Sequence, residues 1–292
     1  MMERKQEYGK IVRWVMGILP LSLLLACSNI DESERFIYVP PSDVNRAVLI
    51  EDFTGQACVN CPAASDVILD LQNTLGENNI IPVAIHSGPF AHKRSNMGAA
   101  FLSDLGTETG DKYFNHWGIE AQPGVKINRG EPIYDTKQYA AAVQAEMQKP
   151  SPVFLEDFQA TCADGKTINI VIHPSVPTAD VDARLQVWIV EDGINAEGGN
   201  SKYVQLMGDG SANENYVHHH VFRASLTDDL FGDAYRQGAG EKILVEFNYS
   251  KTVESHWKVE NLSVVAFLWN EKDGVLCVSR EKLKVKNDSV KS

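Results

Sequence analysis

Two cysteines stand two residues apart in Cys58-Val59-Asn60-Cys61, between the apolar run Val48 to Phe53 and a helical pattern that starts at Pro62. A thiol at a helix N-terminus faces unpaired backbone N–H groups and the positive end of the helix dipole, and both favour the thiolate. The thiolate is the nucleophile of disulfide exchange, and a second thiol one turn away resolves the mixed disulfide. Cys58 is therefore the candidate attacking sulfur and Cys61 the resolving one. Asp52 lies six residues ahead of Cys58, at the base of the sheet beneath the sulfurs. A buried acid there serves as proton acceptor for Cys61; alternatively, one of Glu51 and Asp52 faces solvent and the other caps the loop. A lone Cys-x-x-Cys is also half of a zinc site. No second such pair, and no Cys/His pair, stands at zinc-ribbon spacing, so neither a metal nor another cofactor is expected.

The elements that must hold these residues follow from the pattern around them. Residues 46 to 53 read as a strand covered on both faces. Val67, Ile68, Leu71 and Leu75 mark one face of the helix after the cysteines, and Gly76 ends it. Ile80 to His86 is a second apolar strand, which makes a β-α-β unit. Ser87 to Trp117 is an insertion of mixed helical character whose single histidines (His86, His92, His116) are expected to be surface or packing residues. Pro123 stands just ahead of a strand, a polar hairpin at Arg129 to Pro132 follows, and Tyr134 to Gln148 reads as an alanine-rich closing helix.

Lys149-Pro150-Ser151-Pro152 marks a boundary, beyond which strands alternate with turn signals. Asp164-Gly165 is a hairpin signal, and strands are expected near 153–161, 167–172, 184–190, 218–224, 243–249, 262–269 and 275–283. Such a run with almost no helical stripe implies a β-sandwich. Asn195 to Asn215 is a long glycine-bearing loop, the kind that is usually functional or mobile. Its Asp209, Asn213 and Glu214 do not fit an EF-hand. His218 and His220 are expected on one face of a strand. Cys162 and Cys277 fall in the first and last strands; they either pair as an inter-strand staple or stay as buried free thiols.

The N-terminus is a processing signal: Arg4, Lys5, Lys10 and Arg13 precede an apolar run, Trp14 to Ala26, too short to span a bilayer comfortably. Leu24-Leu25-Ala26-Cys27 resembles the bacterial lipobox, which implies lipid on Cys27 and a membrane as partner. Cleavage at Ala26 removes four basic and two acidic residues, taking the net charge from −12 to −14 and leaving 266 of 292 residues. That acidity excludes nucleic acid as a partner. An exported setting permits a disulfide. The expected division is signal peptide 1–26, acidic tether 27–45, first domain 46–149, β-sandwich domain 150–286 and tail 287–292.

The order strand, Cys-x-x-Cys helix, strand, helical insertion, proline-strand-hairpin, helix resembles the thioredoxin fold. The fold class expected is thus an α/β thioredoxin-like domain followed by an all-β sandwich. The resemblance implies that Pro123 is cis and packs against Cys58 and Cys61, aligning an extended peptide of an exported partner protein. Ala57 replaces the tryptophan that commonly precedes the first cysteine, and Val59-Asn60 leaves the direction of exchange open, since that dipeptide largely sets redox poise. At whole-chain level, the lipobox, Glu51-Asp52-Phe53-Thr54-Gly55 ahead of Cys58, the Gln122-Pro123-Gly124 strand, His219-His220-Val221-Phe222-Arg223-Ala224 and Ala266-Phe267-Leu268-Trp269-Asn270 resemble the outer-membrane-protein-twenty-eight lipoproteins of Bacteroides-type bacteria. That resemblance implies an outer-membrane or surface lipoprotein. Two functions stay open at this point: thiol–disulfide exchange, or a surface binding protein whose Cys58–Cys61 pair is a structural disulfide.

Overall fold

The structure is a computed structural model describing residues 46–92, 105–195 and 203–285. The export signal, Cys27, the tether and the tail lie outside the described residues. Strand β1 (Val48–Thr54) is buried along its whole length. Helix α1 (Cys61–Leu75) follows with Pro62 in its first turn and stops at Gly76, whose φ of 101° a residue with a Cβ would resist. Strand β2 (Ile80–His86) pairs parallel with β1, from Val48↔Ile80 to Thr54↔His86. Helix α2 (Glu108–His116) is capped by the Thr107 hydroxyl, which accepts from Gly110 N–H. Strand β3 (Gly124–Ile127) runs antiparallel to β1. The closing helix α3 begins later than its alanine pattern suggests, at Tyr139–Met147, because a 3-10 turn capped by Asp135 occupies Thr136–Gln138.

Alternation along β1 splits the helices between two layers. Val48 and Ile50 pack with Ala64 and Ile68 of α1 and with Tyr139 and Val143 of α3. Leu49 and Phe53 point the other way, to Tyr113 of α2 and to aromatic residues of the later strands. Asp52 and Thr54 therefore face α1, whereas Glu51 faces the aromatic layer.

The later strands are β4 (Gln159–Cys162), β5 (Thr167–Ile172), β6 (Val181–Glu191), β7 (Gln205–Leu206), β8 (Ala212–Asn213), β9 (Val221–Ser225), β10 (Asp233–Gln237), β11 (Phe247–Thr252), β12 (Leu262–Asn270), β13 (Gly274–Lys282) and β14 (Lys284–Val285). The main sheet has the order β13-β12-β6-β9-β2-β1-β3, with β10 also on β6, so it runs across the Lys149–Pro152 segment without a break. The joint is a single parallel pairing, Ala84↔Val221, in which Ala84 N–H donates to the His220 carbonyl at 2.8 Å. A four-stranded sheet, β11-β5-β4-β14, covers one face of this main sheet. Ile168, Ile170 and Ile172 of β5 meet Val181, Ala183, Leu185 and Val187 of β6 there, so two sheets pack face to face, one of them shared with β1, β2 and β3. The result is a mixed α/β fold with several sheets and few helices.

A buried arginine, ion-paired within the first region, reaches across to the later strands. Asn128 and Arg129 both take positive φ (47° and 62°) in the turn after β3, the geometry of a tight hairpin turn. The turn sends the Arg129 guanidinium 3.3 Å from the Glu51 carboxylate, 4.0 Å from the Trp269 ring centre and onto the Gln186 side-chain oxygen. Both charged groups are fully buried, so Glu51 neither faces solvent nor caps the cysteine loop.

Candidate functional site

Cys58 and Cys61 form a disulfide. Cys61 opens α1 and Cys58 stands in the turn before it, its carbonyl accepting from Cys61 N–H at 3.3 Å. The β1–α1 loop approaches the Gly88–Phe90 turn so closely that a Cβ on Gly55 would meet the Phe90 backbone at 2.5 Å, and Ala57 N–H donates to the Phe90 carbonyl at 2.9 Å. Only glycine fits there. The Gln122–Pro123 bond is cis, and the Gln122 amide donates to the carbonyls of Thr54 (2.7 Å) and Ser87 (3.0 Å), pinning the proline loop to the ends of β1 and β2.

Asp52 is 3% exposed and sits on the α1 face of β1. Its Oδ2 accepts from the Ser65 hydroxyl at 3.3 Å, and its Oδ1 has no partner among the described residues. Burial in an apolar layer penalises the charged form, and the carboxyl is pushed up to about 7. It lines a cavity of about 180 Å³ together with Cys61, Ser65, Asp66, His86 and Tyr216. An acid that changes charge near neutral pH, in a cavity that Cys61 also lines, is of a kind suited to proton transfer with a thiol.

The histidines in the cavity wall differ from their expected arrangement. His218 and His220 precede β9 rather than alternating along it. His220 takes a φ of 54°, its Nδ1 2.9 Å from Asp192 and its Nε2 3.1 Å from the Gln72 side-chain oxygen. That pairing helps hold the Asp192 carboxyl down at about 2 despite its burial. His218 instead lies 2.9 Å from the Tyr203 carbonyl, with its ring 5.4 Å from that of His86. Burial lowers both of these, His218 to about 4, so both imidazoles are neutral at physiological pH. Among the described residues no group of three or more His, Cys, Asp or Glu side chains is arranged to hold a metal. Asp209 and Asn213 cap their own turns, to Ser211 N–H and Asn215 N–H.

A hairpin from the glycine-bearing loop packs onto the cysteine loop through Gln205, a residue that no local pattern singles out. The Gln205 amide donates to the Cys58 carbonyl at 3.1 Å and the Gly55 carbonyl at 3.4 Å. Leu206 N–H donates to the Gln56 carbonyl (2.8 Å), and the Gln56 amide donates back to Val204 (2.9 Å). Cys58 is left 3% exposed and Cys61 1%. The sole signal was the loop's length. Elsewhere, Cys162 and Cys277 are free, buried thiols, so the staple alternative is not what the structure contains; burial pushes the Cys277 thiol up to about 12.

A family model described as outer membrane protein Omp28 matches residues 110–287, which includes Pro123 and the later strands but not Cys58 or Cys61. Among solved structures, HBP35 of Porphyromonas gingivalis is similar at 14% identity over 85% of this chain and 79% of that one, with a TM-score of 0.58, a likeness of fold. A domain of the outer membrane lipoprotein Omp28 from the same organism matches at 16% identity over 47% of this chain and 93% of that one, with a TM-score of 0.31. No curated protein matches the chain.

Proposed function

The chain belongs to the outer membrane protein Omp28 family, and on that premise we propose that it is a lipid-anchored thiol–disulfide exchange protein acting on exported proteins. Its place is the outer membrane. Cys27 is the lipidated residue, and the segment up to Asn45 tethers the fold to the bilayer. The first half is thioredoxin-like: a Cys-x-x-Cys helix between parallel strands, helices on both faces of the sheet, and a cis proline ahead of the antiparallel strand support this.

In the exchange, a partner thiolate attacks the Cys58–Cys61 bond. A mixed disulfide forms with Cys58, and Cys61 leaves as a thiolate that takes up a proton from the Asp52 carboxyl. A second partner thiolate then displaces Cys58, and the partner leaves oxidised while the pair holds two thiols. The reverse sequence reduces a partner disulfide, with Asp52 as the base that activates Cys61. The cis Pro123 loop aligns the extended partner segment. The observation that carries this reading is Asp52: a buried carboxyl poised near neutrality, with an unpartnered oxygen, in a cavity that Cys61 walls. A structural disulfide has no use for such an acid, whose burial costs stability.

The second reading is a binding lipoprotein in which Cys58–Cys61 is a permanent bridge. The near-complete burial of both cysteines under the Gln205 hairpin favours it. The two separate on the reduction potential of the pair, because structural disulfides lie below about −300 mV and exchange proteins above that value.

A further inference from the structure

The disulfide has two sides, and they differ. Toward Cys58, the Gln205 amide and the backbone of β7 close over the loop. Toward Cys61, the cavity between α1 and residues 216–220 has Cys61 in its wall, with exposed Asp66 and His219 at its rim. A folded partner does not fit a space of about 180 Å³, but a small molecule does. The wall also selects charge. It holds two carboxyls and no lysine or arginine; the hydroxyls of Ser65 and Tyr216, the Gln205 side chain and four histidines also belong to its polar lining, with His86 and His218 kept neutral by burial. The buried Asp52 Oδ1 and His86 Nδ1 are both unpartnered among the described residues. Such a wall fits a hydrogen-bond-donating cation and repels an anion.

We propose that this cavity is the entry for the reductant of Cys58–Cys61, and that the reductant is a low-molecular-weight thiol carrying an ammonium group. The proposal rests on the exchange reading above and names its small substrate. The thiolate of one reductant attacks Cys61 Sγ, the new bond joins its sulfur to Cys61, and Cys58 leaves as a thiolate. Cys58 is the better leaving group because the helix N-terminus stabilises its charge. A second reductant thiolate attacks the sulfur of the first, releasing the small disulfide and Cys61, which is protonated through Asp52. Two electrons reach the protein, and the two protons of the consumed thiols end on Cys58 and Cys61. The ammonium group is held between Asp66 at the rim and Asp52 within.

The test uses three thiols of similar size and different charge: cysteamine (cationic), 2-mercaptoethanol (neutral) and 3-mercaptopropionate (anionic), with dithiothreitol as a general reductant. The full-length protein in detergent is reduced at equal thiolate concentrations, quenched with acid, alkylated and read by fragmentation mass spectrometry at Cys58 and Cys61. The expected result is that cysteamine outpaces mercaptopropionate by roughly tenfold, the scale of a partly screened ion pair, with the trapped adduct on Cys61. Asp66→Asn, a change at an exposed position that leaves the core intact, brings the ratio to about twofold or less. Equal rates for the three thiols, a ratio unchanged in Asp66→Asn, or an adduct on Cys58 overturns the proposal while leaving exchange with protein partners standing. A pair that not even dithiothreitol reduces overturns the exchange reading itself, and this proposal with it.

Discussion

Replacing Asp52 by asparagine stabilises the oxidised protein above neutral pH, and the gain vanishes on acidification. The carboxyl titrates near 3.8 when exposed and about 7 when folded, with desolvation as the main cause and the Ser65 hydrogen bond opposing it. For a group whose folded value is raised, the stability contribution is fully present below the unfolded value and is lost as pH rises through the folded one. The wild type therefore loses about 1.4 kcal/mol per pH unit between about 4 and 7 from this group alone, roughly 4 kcal/mol in total. Because Asp52 is 3% exposed, solvent screening takes little from that figure. The asparagine has no such loss; the cost of its buried amide, about 1–3 kcal/mol, is the same at every pH. Urea unfolding of both proteins from pH 4 to pH 8 reads the difference. The stability of Asp52→Asn relative to wild type should rise by several kcal/mol across that range and level off above pH 7. A difference flat in pH would refute the reasoning, because it would place the Asp52 titration in the ordinary carboxylate range and remove the proton acceptor from beside Cys61.

Gln205→Ala removes the amide that holds the hairpin to Cys58 and Gly55. Losing about 1 kcal/mol there should speed reduction by dithiothreitol about fivefold, measured by alkylation after quenching; an unchanged rate would mean that the hairpin does not limit access. Arg129→Ala leaves the Glu51 carboxylate buried without its cation and should cost about 3–5 kcal/mol in urea unfolding. Adding Glu51→Gln should recover part of that cost, and a double variant no better than the single would contradict a direct pairing. Cys162 and Cys277, buried and with raised thiol values, should take up iodoacetamide only on unfolding; native-state labelling at the rate of a free thiol would contradict their burial.

The legible parts of the fold carry their own signal locally. β1 and β2 are near-continuous apolar runs, β5 alternates, and β12 and β13 are long and flanked by turns. The Cys-x-x-Cys ahead of a helix and the proline ahead of β3 were visible as types and spacing. The features that escaped the sequence depend on single distant contacts. The joint between β2 and β9 is one residue pair, with no pattern of its own. β10, Asp-Ala-Tyr-Arg-Gln, lacks an apolar run because it adds only to an end of β6. The pair of histidines on one strand face failed because the positive φ of His220 breaks the alternation. Gln205 reaches Cys58 across 147 positions, and a lone glutamine in a loop announces nothing. Glu51 and Arg129 are likewise ordinary surface residue types, buried here only because each neutralises the other.

The reduction potential of Cys58–Cys61, measured in a soluble form that starts after Cys27 with Cys162 and Cys277 replaced by alanine, weighs exchange against structure most directly. A value between about −120 and −270 mV, the span of exchange proteins, is the expected result, and trapping of partners with Cys61→Ala then follows. A value below about −300 mV, where structural disulfides lie, would contradict exchange and leave the pair as a bridge that holds the β1–α1 loop.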